Sequence, residues 1–238
     1  MNAGEIKINI TSKNVKTWST IGARPTYGLA VMELAKHCEE LMVVTADVST
    51  SAGLDRFRKT YPEKFVDVGI AEQNMIGVAA GLADNGYNVF TTTFAPFQTL
   101  RCLDQIKVDL AYSNIKVTMT GLASGLINGP LGNTHCCIED VGALRSIPNL
   151  TILSPADGVG IMKAVFASAE SDKPTFIRLT GGSNNPVVYH EDINFKIGEA
   201  IEIETGHDLT IFATGTMVFY SLQAAKILDQ KGISASVW

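Results

Sequence analysis

The sequence predicts an α/β protein with a mainly parallel sheet that helices cover on both faces. Two observations lead to this class. Short apolar runs, such as LMVVTA at 41–46, alternate with segments whose apolar residues recur at helical spacing. Strands that are apolar on both faces are typical of parallel sheets buried between two layers of helices. The chain has 238 residues, of which 46% are hydrophobic, and this is enough to form a sizeable core.

The predicted helices follow from the spacing of their apolar residues. The helix at 26–38 has leucine and methionine residues spaced as a buried stripe, and the helix at 71–83 is rich in small residues that allow close packing on a sheet. The segment at 97–113 has the period of a long amphipathic helix. Shorter helices are predicted at 54–61, 141–146 and 158–168.

The predicted strands are short apolar runs that alternate with these helices. They lie at 41–46, 64–68, 88–92, 115–120, 150–153 and 175–179. A glycine-rich segment at 121–134 follows the fourth strand and is too long for a simple connector.

The chain divides into four predicted segments. Residues 1–20 are polar and aperiodic, which predicts an N-terminal arm, and residues 21–181 form the main domain. Gly, Ser, Asn and Pro cluster after it, so residues 182–208 are predicted to be a linker. Residues 209–238 contain one βαβ unit, too short to close a sheet, and are predicted to be the beginning of a second α/β domain that is cut short or completed by another chain. Its elements are predicted at 209–213, 217–229 and 233–237.

Composition and charge exclude several classes of partner. The net charge is −5 and the pI is about 5.4, so neither nucleic acid nor an anionic membrane is expected as a partner. No apolar run approaches the roughly 20 residues that span a bilayer, and the N-terminus lacks the apolar region of a signal peptide. The four cysteines form no CxxC pair, so neither a zinc site nor a disulfide framework is indicated, and a cytoplasmic location is expected.

The most informative stretch is DVGIAEQNM at 67–75, where a strand ends at a glycine and the carboxylate of Glu72 opens the next helix. Ligands of open α/β sheets bind beyond the carboxyl ends of the strands, where further polar and aromatic residues of this chain are expected. These residues are Asp47, Ser51, Phe94, Phe97 and His135. Together they predict a site with carboxylates, two aromatic rings and flexible backbone.

Each of these residues also has a purely structural interpretation. Glu72 can stabilise a helix N-terminus, Asp47 can cap a helix, Phe94 can belong to the core and His135 can be a structural hydrogen bonder. The sequence has no GxGxxG motif, no P-loop, no GxSxG nucleophile elbow and no metal-ligand spacing. An acid and stacking rings without a nucleophile or a metal indicate that a bound organic cofactor does the chemistry and that the protein orients it.

Several motifs, taken in chain order, resemble one known family. They are GARPTYG at 22–28, TAD at 45–47 with Ser51, VGIAEQN at 68–74, TTFAPF at 92–97, Thr134-His135 with Glu139-Asp140, RSIPN at 145–149 and SPAD at 154–157. Over residues 21–179 the chain resembles the pyrimidine-binding domain of transketolase and of its relatives, 1-deoxyxylulose-5-phosphate synthase and the β subunits of 2-oxoacid dehydrogenases. It is most similar to the C-terminal half of a split transketolase, in which two chains share the work.

The resemblance implies thiamine diphosphate as the cofactor. It would be bound between this domain and an N-terminal transketolase-like subunit that holds the diphosphate through a Gly-Asp-Gly motif and Mg²⁺ or Ca²⁺. This chain contains no Gly-Asp-Gly, so no metal site is expected on it. Glu72 matches the family carboxylate that hydrogen-bonds N1′ of the aminopyrimidine, and Phe94 and Phe97 match the aromatic face that stacks on that ring.

The remaining matches concern the subunit contact and the substrate. Asp47 matches a family carboxylate at the subunit contact near the cofactor. Arg24 and Ser51 match positions that bind the phosphate end of a sugar substrate. His135 matches an active-site histidine close to the substrate hydroxyls and is expected to act in catalysis.

The substrate-reading part of the sequence departs from the family pattern. The loop before Thr134 reads GLINGPLGN at 125–133, where the family has an acidic Gly-Glu-Asp-Gly. The third aromatic of the pyrimidine pocket falls at Leu100, and a second phosphate-binding arginine falls near Gly181, three residues after Arg178. The cofactor-activating residues are therefore kept, whereas the substrate-reading residues are partly changed.

The implied activity is transfer of a two-carbon ketol unit from a ketose sugar to an aldehyde acceptor. Two alternatives stay open: a subunit that acts on a 2-oxoacid, like 1-deoxyxylulose-5-phosphate synthase or a 2-oxoacid dehydrogenase E1 β subunit, and a non-catalytic subunit that retains the fold. A site shared by two chains implies a heteromeric assembly, and the family symmetry suggests an α2β2 heterotetramer, with a homodimer formed by this chain alone.

Overall fold

The computed structural model describes residues 8–238, and its main sheet has six strands in the order β2-β1-β3-β4-β6-β5. Every neighbouring pair in this sheet is parallel. The strands are β1 (Leu41–Thr45), β2 (Phe65–Asp67), β3 (Asn88–Phe94), β4 (Val117–Leu122), β5 (Thr151–Leu153) and β6 (Thr175–Arg178). All six predicted strands are therefore present, with ends that differ by at most two residues, and the parallel α/β class is confirmed.

The side chains of the strands alternate between two apolar cores, one on each face of the sheet. In β1, Leu41 and Val43 belong to the first core, and Met42 and Val44 belong to the second. This alternation follows from the two-residue period of a strand, and it explains why the strands are apolar on both faces.

Two layers of helices cover these cores. The first layer packs on the core of Leu41 and Val43, and the second packs on the core of Met42 and Val44. The first layer consists of α1 (Ser12–Ile21), α2 (Ala23–Leu34), α3 (Asp55–Thr60) and α8 (Gly158–Glu170). The second layer consists of α4 (Glu72–Asp84), α5 (Ala95–Gln98), α6 (Leu103–Gln105), a π-helix (Ile106–Tyr112) and α7 (Asp140–Leu144).

Part of the predicted N-terminal arm at 1–20 is helical, because Ser12–Ile21 forms α1. Thr11 caps the helix by accepting a hydrogen bond from the Asn14 N–H at 3.2 Å. Val15 and Trp18 are buried in the first core. The partly buried Ile21 packs on the same core, so apolar residues recur every three positions along this helix, and its many polar residues made that period easy to overlook. Residues 1–7 of the predicted arm lie outside the described residues.

The predicted long helix at 97–113 is also wrong, since the structure breaks it around Thr99. The Thr99 hydroxyl donates to the Ala95 carbonyl at 2.7 Å, and the Cys102 thiol donates to the Phe97 carbonyl at 3.1 Å. Such bonds from side chains to the backbone compete with regular helix. A 3-10 turn (Leu100–Cys102) follows, and the π-helix (Ile106–Tyr112) then replaces the predicted last turns.

The C-terminal segment forms the predicted βαβ unit. Strands β7 (Leu209–Ile211) and β8 (Ala235–Val237) pair in parallel, and α9 (Met217–Asp229) connects them. The segment between the two sheets lies against the main domain, because the Asp157 carboxylate accepts the N–H groups of Val188 at 2.9 Å and Tyr189 at 2.8 Å. Burial raises the pKa of Asp157, although these hydrogen bonds oppose the shift.

The helices of residues 8–238 are all too short or too polar to cross a lipid bilayer.

Gly28 in α2 provides a test of how closely this helix packs on the loop after β1. A methyl group at Gly28 would overlap the carbonyl group of Gly53, whereas one at Gly77 in α4 would meet no atom within 4 Å. Because backbone has to move in the first case, Gly28→Ala is expected to destabilise the chain by about 1–3 kcal/mol. Gly77→Ala is the matched control and should be neutral or stabilising by up to about 1 kcal/mol. Chemical denaturation of the two isolated variants measures both effects. Equal free energies of unfolding for Gly28→Ala and Gly77→Ala would contradict the close packing of α2 on the loop after β1.

Candidate functional site

The β1 and β2 ends are joined by the carboxylate of Asp67. Its Oδ1 atom accepts the N–H of Gly69 at 2.9 Å and the N–H of Asp47 at 3.0 Å. Both of these residues have a positive φ, of 71° and 56° respectively. Glycine adopts this conformation readily, and aspartate is among the few other residues that do so. One side chain therefore fixes the two loops that carry Asp47 and Glu72.

Glu72 is the first residue of α4 and is only 4% exposed. The helix N-terminus favours a negative charge at this position. Its Oε2 atom accepts a hydrogen bond from Nη1 of Arg101 at 2.7 Å, so the buried carboxylate has a cationic partner. The charge of Glu72 also acts on its surroundings: burial first, and then this carboxylate, raise the pKa of the Cys102 thiol to about 12.

Arg101 is a residue of this site that the sequence did not indicate. It lies in the 3-10 turn that interrupts the predicted helix, and its guanidinium carbon is 4.0 Å from the centroid of the Phe97 ring. In the sequence, the feature that could have indicated it is its position directly after Leu100, where the third aromatic of the family's pyrimidine pocket falls. A continuous helix would have placed it differently with respect to α4.

Three rings form an aromatic cluster consisting of Phe94, Phe97 and His135. Phe94 ends β3, Phe97 lies in α5, and the two rings meet edge to face with centroids 6.4 Å apart. The His135 ring lies 5.6 Å from Phe94 and 5.2 Å from Phe97, again edge to face. Because Arg101 contacts both Phe97 and Glu72, the structure brings four predicted site residues into one connected group.

The loop that carries His135 is closed at its base. Gly125 and Cys137 form an antiparallel bridge, and the Thr134 hydroxyl lies 3.0 Å from Nδ1 of His135. The completely buried Asp140 accepts a hydrogen bond from Nε of Arg178 at 2.7 Å, which fixes the start of α7 to the end of β6. The position of His135 therefore depends on contacts outside the site.

Arg24, Asp47 and Ser51 lie at the same edge of the sheet but form a separate group. Asp47 is exposed, and Arg24 and Ser51 are half-buried. The start of α2 lies directly against the loop that contains Ser51, since a methyl group at Gly53 would come within 3.3 Å of the Arg24 carbonyl oxygen. Within residues 8–238, no hydrogen bond or ion pair joins these three side chains to Glu72 or the aromatic cluster.

Tyr27 joins α2 to β3 and was not predicted as a site residue. It is completely buried, and its hydroxyl lies 2.7 Å from Oγ1 of Thr92 on β3. Burial raises the pKa of this phenol, although the hydrogen bonds of its hydroxyl oppose the shift. This bond fixes α2, which carries Arg24, to the strand that ends at Phe94.

In the part of the chain that the structure describes, no group of three or more His, Cys, Asp or Glu side chains is arranged to hold a metal ion.

Comparison with known proteins identifies both segments of the chain. Residues 19–185 match the model of the transketolase pyrimidine-binding domain, and residues 198–238 match that of the transketolase C-terminal domain. An apulose-4-phosphate transketolase subunit of Phocaeicola vulgatus is 37% identical over 217 residues, which are 91% of this chain and 70% of that protein. A 6-deoxy-6-sulfo-D-fructose transketolase subunit of a Clostridium species is 37% identical over 216 residues, 90% of this chain and 66% of that protein.

A solved structure described as a split gene transketolase in an inactive β4 tetramer has the same fold. It is 37% identical in sequence, has a TM-score of 0.83, and the match covers 91% of this chain and 70% of that chain. These matches confirm the resemblance to a split transketolase subunit that the sequence motifs indicated. The chain belongs to the transketolase family.

Proposed function

We propose that this chain is the pyrimidine-binding subunit of a thiamine-diphosphate-dependent transketolase, which transfers a two-carbon ketol unit from a ketose donor to an aldehyde acceptor. The observation that carries the proposal is the connected group of Glu72 and the aromatic cluster at the carboxyl edge of a parallel sheet. The family membership and the names of its relatives, which are transketolase subunits, support the same reaction.

The side chains present fit the aminopyrimidine of this cofactor. A flat heteroaromatic ring with a basic nitrogen needs a planar apolar surface and a carboxylate at its edge. Phe94 and Phe97 are half-buried and offer the surface, and Glu72 offers a buried carboxylate. We assign Glu72 the task of holding a proton at N1′ of that ring, and Phe94 and Phe97 the task of fixing its plane. When bound, thiamine diphosphate supplies the nucleophilic carbon that attacks the ketose carbonyl.

The second group of residues suits the sugar. The relatives named above act on a phosphorylated sugar and a sulfonated sugar, so each substrate carries an anionic group. Arg24 offers a positive charge and Ser51 a hydroxyl donor, and both groups bind such anions. His135 lies against the aromatic cluster and has a polar ring atom for a substrate hydroxyl. We therefore assign Arg24 and Ser51 to the anionic end of the substrate and His135 to its reacting end.

The diphosphate and its metal are assigned to a partner subunit. Exposed apolar side chains surround the site on the loops after β2 and β4, which is typical of a protein–protein interface. These side chains are Ile70 at 78%, Leu126 at 71%, Leu131 at 57% and Ile138 at 67% exposure. We propose that an N-terminal transketolase-like subunit, which holds the diphosphate and Mg²⁺ or Ca²⁺, covers this surface. Asp47, exposed at the same edge, would lie at that contact in a cytoplasmic α2β2 heterotetramer, whereas this chain alone would form a homodimer.

Calorimetric titration tests the shared site. Thiamine diphosphate with Mg²⁺ is titrated into this chain alone and into its mixture with the N-terminal subunit. Binding in the mixture, and weak or no binding to this chain alone, is the expected result, because this chain contributes only contacts to the pyrimidine. A mixture that forms a complex but binds no cofactor would contradict the proposal.

The choice of donor then tests the reaction class. A ketose phosphate and pyruvate are offered separately to the assembled enzyme with an aldehyde acceptor. Ketol transfer from the ketose without release of CO2 is expected. Release of CO2 from pyruvate would instead assign the chain to the enzymes that act on 2-oxoacids.

A further inference from the structure

We propose that Arg101 is a positioning residue that holds the Glu72 carboxylate and the Phe97 ring in one fixed arrangement for the pyrimidine of the cofactor. The inference rests on the proposed function, because it assigns a role to a side chain of the same site. It adds a residue that neither the sequence motifs nor the exposed edge of the sheet had indicated.

Arg101 contacts both walls of the predicted pocket at once. Its Nη1 atom donates to Oε2 of Glu72 at 2.7 Å, and its guanidinium carbon lies 4.0 Å from the centre of the Phe97 ring. No protein group of residues 8–238 donates a hydrogen bond to the other carboxylate oxygen of Glu72. One oxygen is therefore occupied by the protein, and the other remains available to a ligand.

The position of Arg101 is itself fixed by α4. The side-chain amide of Gln73 donates to the Arg101 carbonyl at 3.1 Å, so two successive residues of the first turn of α4 bind Arg101. On the other side, the thiol of the next residue, Cys102, donates to the Phe97 carbonyl at 3.1 Å. The helix start, the 3-10 turn and the ring thus form a closed set of contacts. A movement of Glu72 would therefore disturb the contact between Arg101 and the Phe97 ring.

Charge and exposure support a positioning role over a structural one. The Glu72 side chain is 5% exposed and needs a partner, because an unpaired buried carboxylate is costly. The Arg101 side chain is 43% exposed, so it pairs with the buried carboxylate while it remains partly accessible to solvent. A residue needed only to neutralise a buried charge would not have to stack on a ring predicted to bind the cofactor.

The chemistry of arginine explains why a lysine would not replace it fully. A guanidinium is flat, so it stacks on an aromatic ring with its face while it donates hydrogen bonds from its edge. An ammonium group has the charge but cannot combine both contacts in one plane. Arg101→Lys is therefore expected to retain the neutralising charge and to lose the coupling to Phe97.

Thermal unfolding of the isolated chain tests the pair without any cofactor. Arg101→Met and Glu72→Gln should each lower the midpoint, and the double variant should lower it by clearly less than the sum of the two shifts, because the pair is broken only once. Shifts that add would show that the two side chains do not interact and would overturn the proposal.

Cofactor binding and kinetics of the assembled enzyme test the positioning role. Arg101→Met is expected to weaken thiamine diphosphate binding in calorimetry and to lower kcat by up to about 100-fold, since small errors of placement have effects of this size. The KM of the ketose donor should stay within about twofold, because Arg101 does not touch the sugar in this assignment. Arg101→Lys should recover part of both losses, and Arg58→Met, a change at an exposed arginine of α3, should alter neither.

The outcomes separate the two proposals. If the wild-type complex binds thiamine diphosphate and Arg101→Met matches it in affinity and kcat, the positioning role is wrong and the proposed function stands. If the wild-type complex binds no cofactor, the proposed function fails, and the role of Arg101 fails with it.

Discussion

Glu72→Gln is expected to lower the turnover of the assembled enzyme by at least about 100-fold, while the complex still assembles. Glutamine has nearly the same shape as glutamate, but it cannot hold a proton at N1′ as a carboxylate does. Proton transfer by a positioned side chain typically contributes about 10²- to 10⁴-fold to a rate. The Glu72 carboxylate is buried and its charge is paired with Arg101. Steady-state kinetics with a ketose donor measure the loss, and gel filtration checks the assembly.

Glu33→Gln is the matched control for this prediction. Glu33 lies on α2, its side chain is 40% exposed, and it pairs at the surface with Lys36 and His37. Such pairs contribute little to stability, so turnover and assembly of this variant should equal those of the wild type. Near-normal turnover of Glu72→Gln would contradict the proposed mechanism.

Arg178→Met is expected to lower the free energy of unfolding by about 3–5 kcal/mol, since it leaves the Asp140 carboxylate buried without its cation. Asp140 has no exposed surface, and the Arg178 side chain is 16% exposed. For a chain of this length such a loss corresponds to a fall of about 10 °C in Tm. The same contact fixes α7 at the base of the His135 loop, so the variant should also lose activity below its unfolding temperature.

Arg58→Met tests whether burial, rather than the removal of an arginine, causes this effect. Arg58 pairs with Asp55 at 3.3 Å on the surface, where both side chains are more than a third exposed. Its removal should cost less than about 1 kcal/mol. The double variant Arg178→Met with Asp140→Asn should recover part of the stability, because it removes the unpaired charge. Equal effects of Arg178→Met and Arg58→Met in denaturant titrations would show that the Arg178–Asp140 pair is not buried in solution.

The secondary structure of the sheet was predictable because its signal is local. A strand buried on both faces favours apolar and β-branched residues, so LMVVTA at 41–46 and NVFTT at 88–92 were recognisable without any knowledge of their neighbours. The helix α9 (Met217–Asp229) was predicted with the same ends that the structure has. By contrast, α1 depends on two contacts, of Val15 and Trp18, with helices that come later in the chain. Its apolar residues Val15, Trp18 and Ile21 do recur every three positions, but the polar composition of the segment concealed this period.

The sequence by itself determined the parallel α/β class, the placement of Glu72 at a helix start after β2, and the delivery of Phe94, Phe97 and His135 to one edge of the sheet. These features follow from local patterns and from the rule that parallel strands end on the same side. Only the tertiary structure decided that the predicted helix at 97–113 breaks, that Arg101 turns toward Glu72 and Phe97, and that Arg178 neutralises Asp140. The two ion pairs join residues far apart in the chain, and their distance depends on how helices pack on the sheet, which no local pattern records.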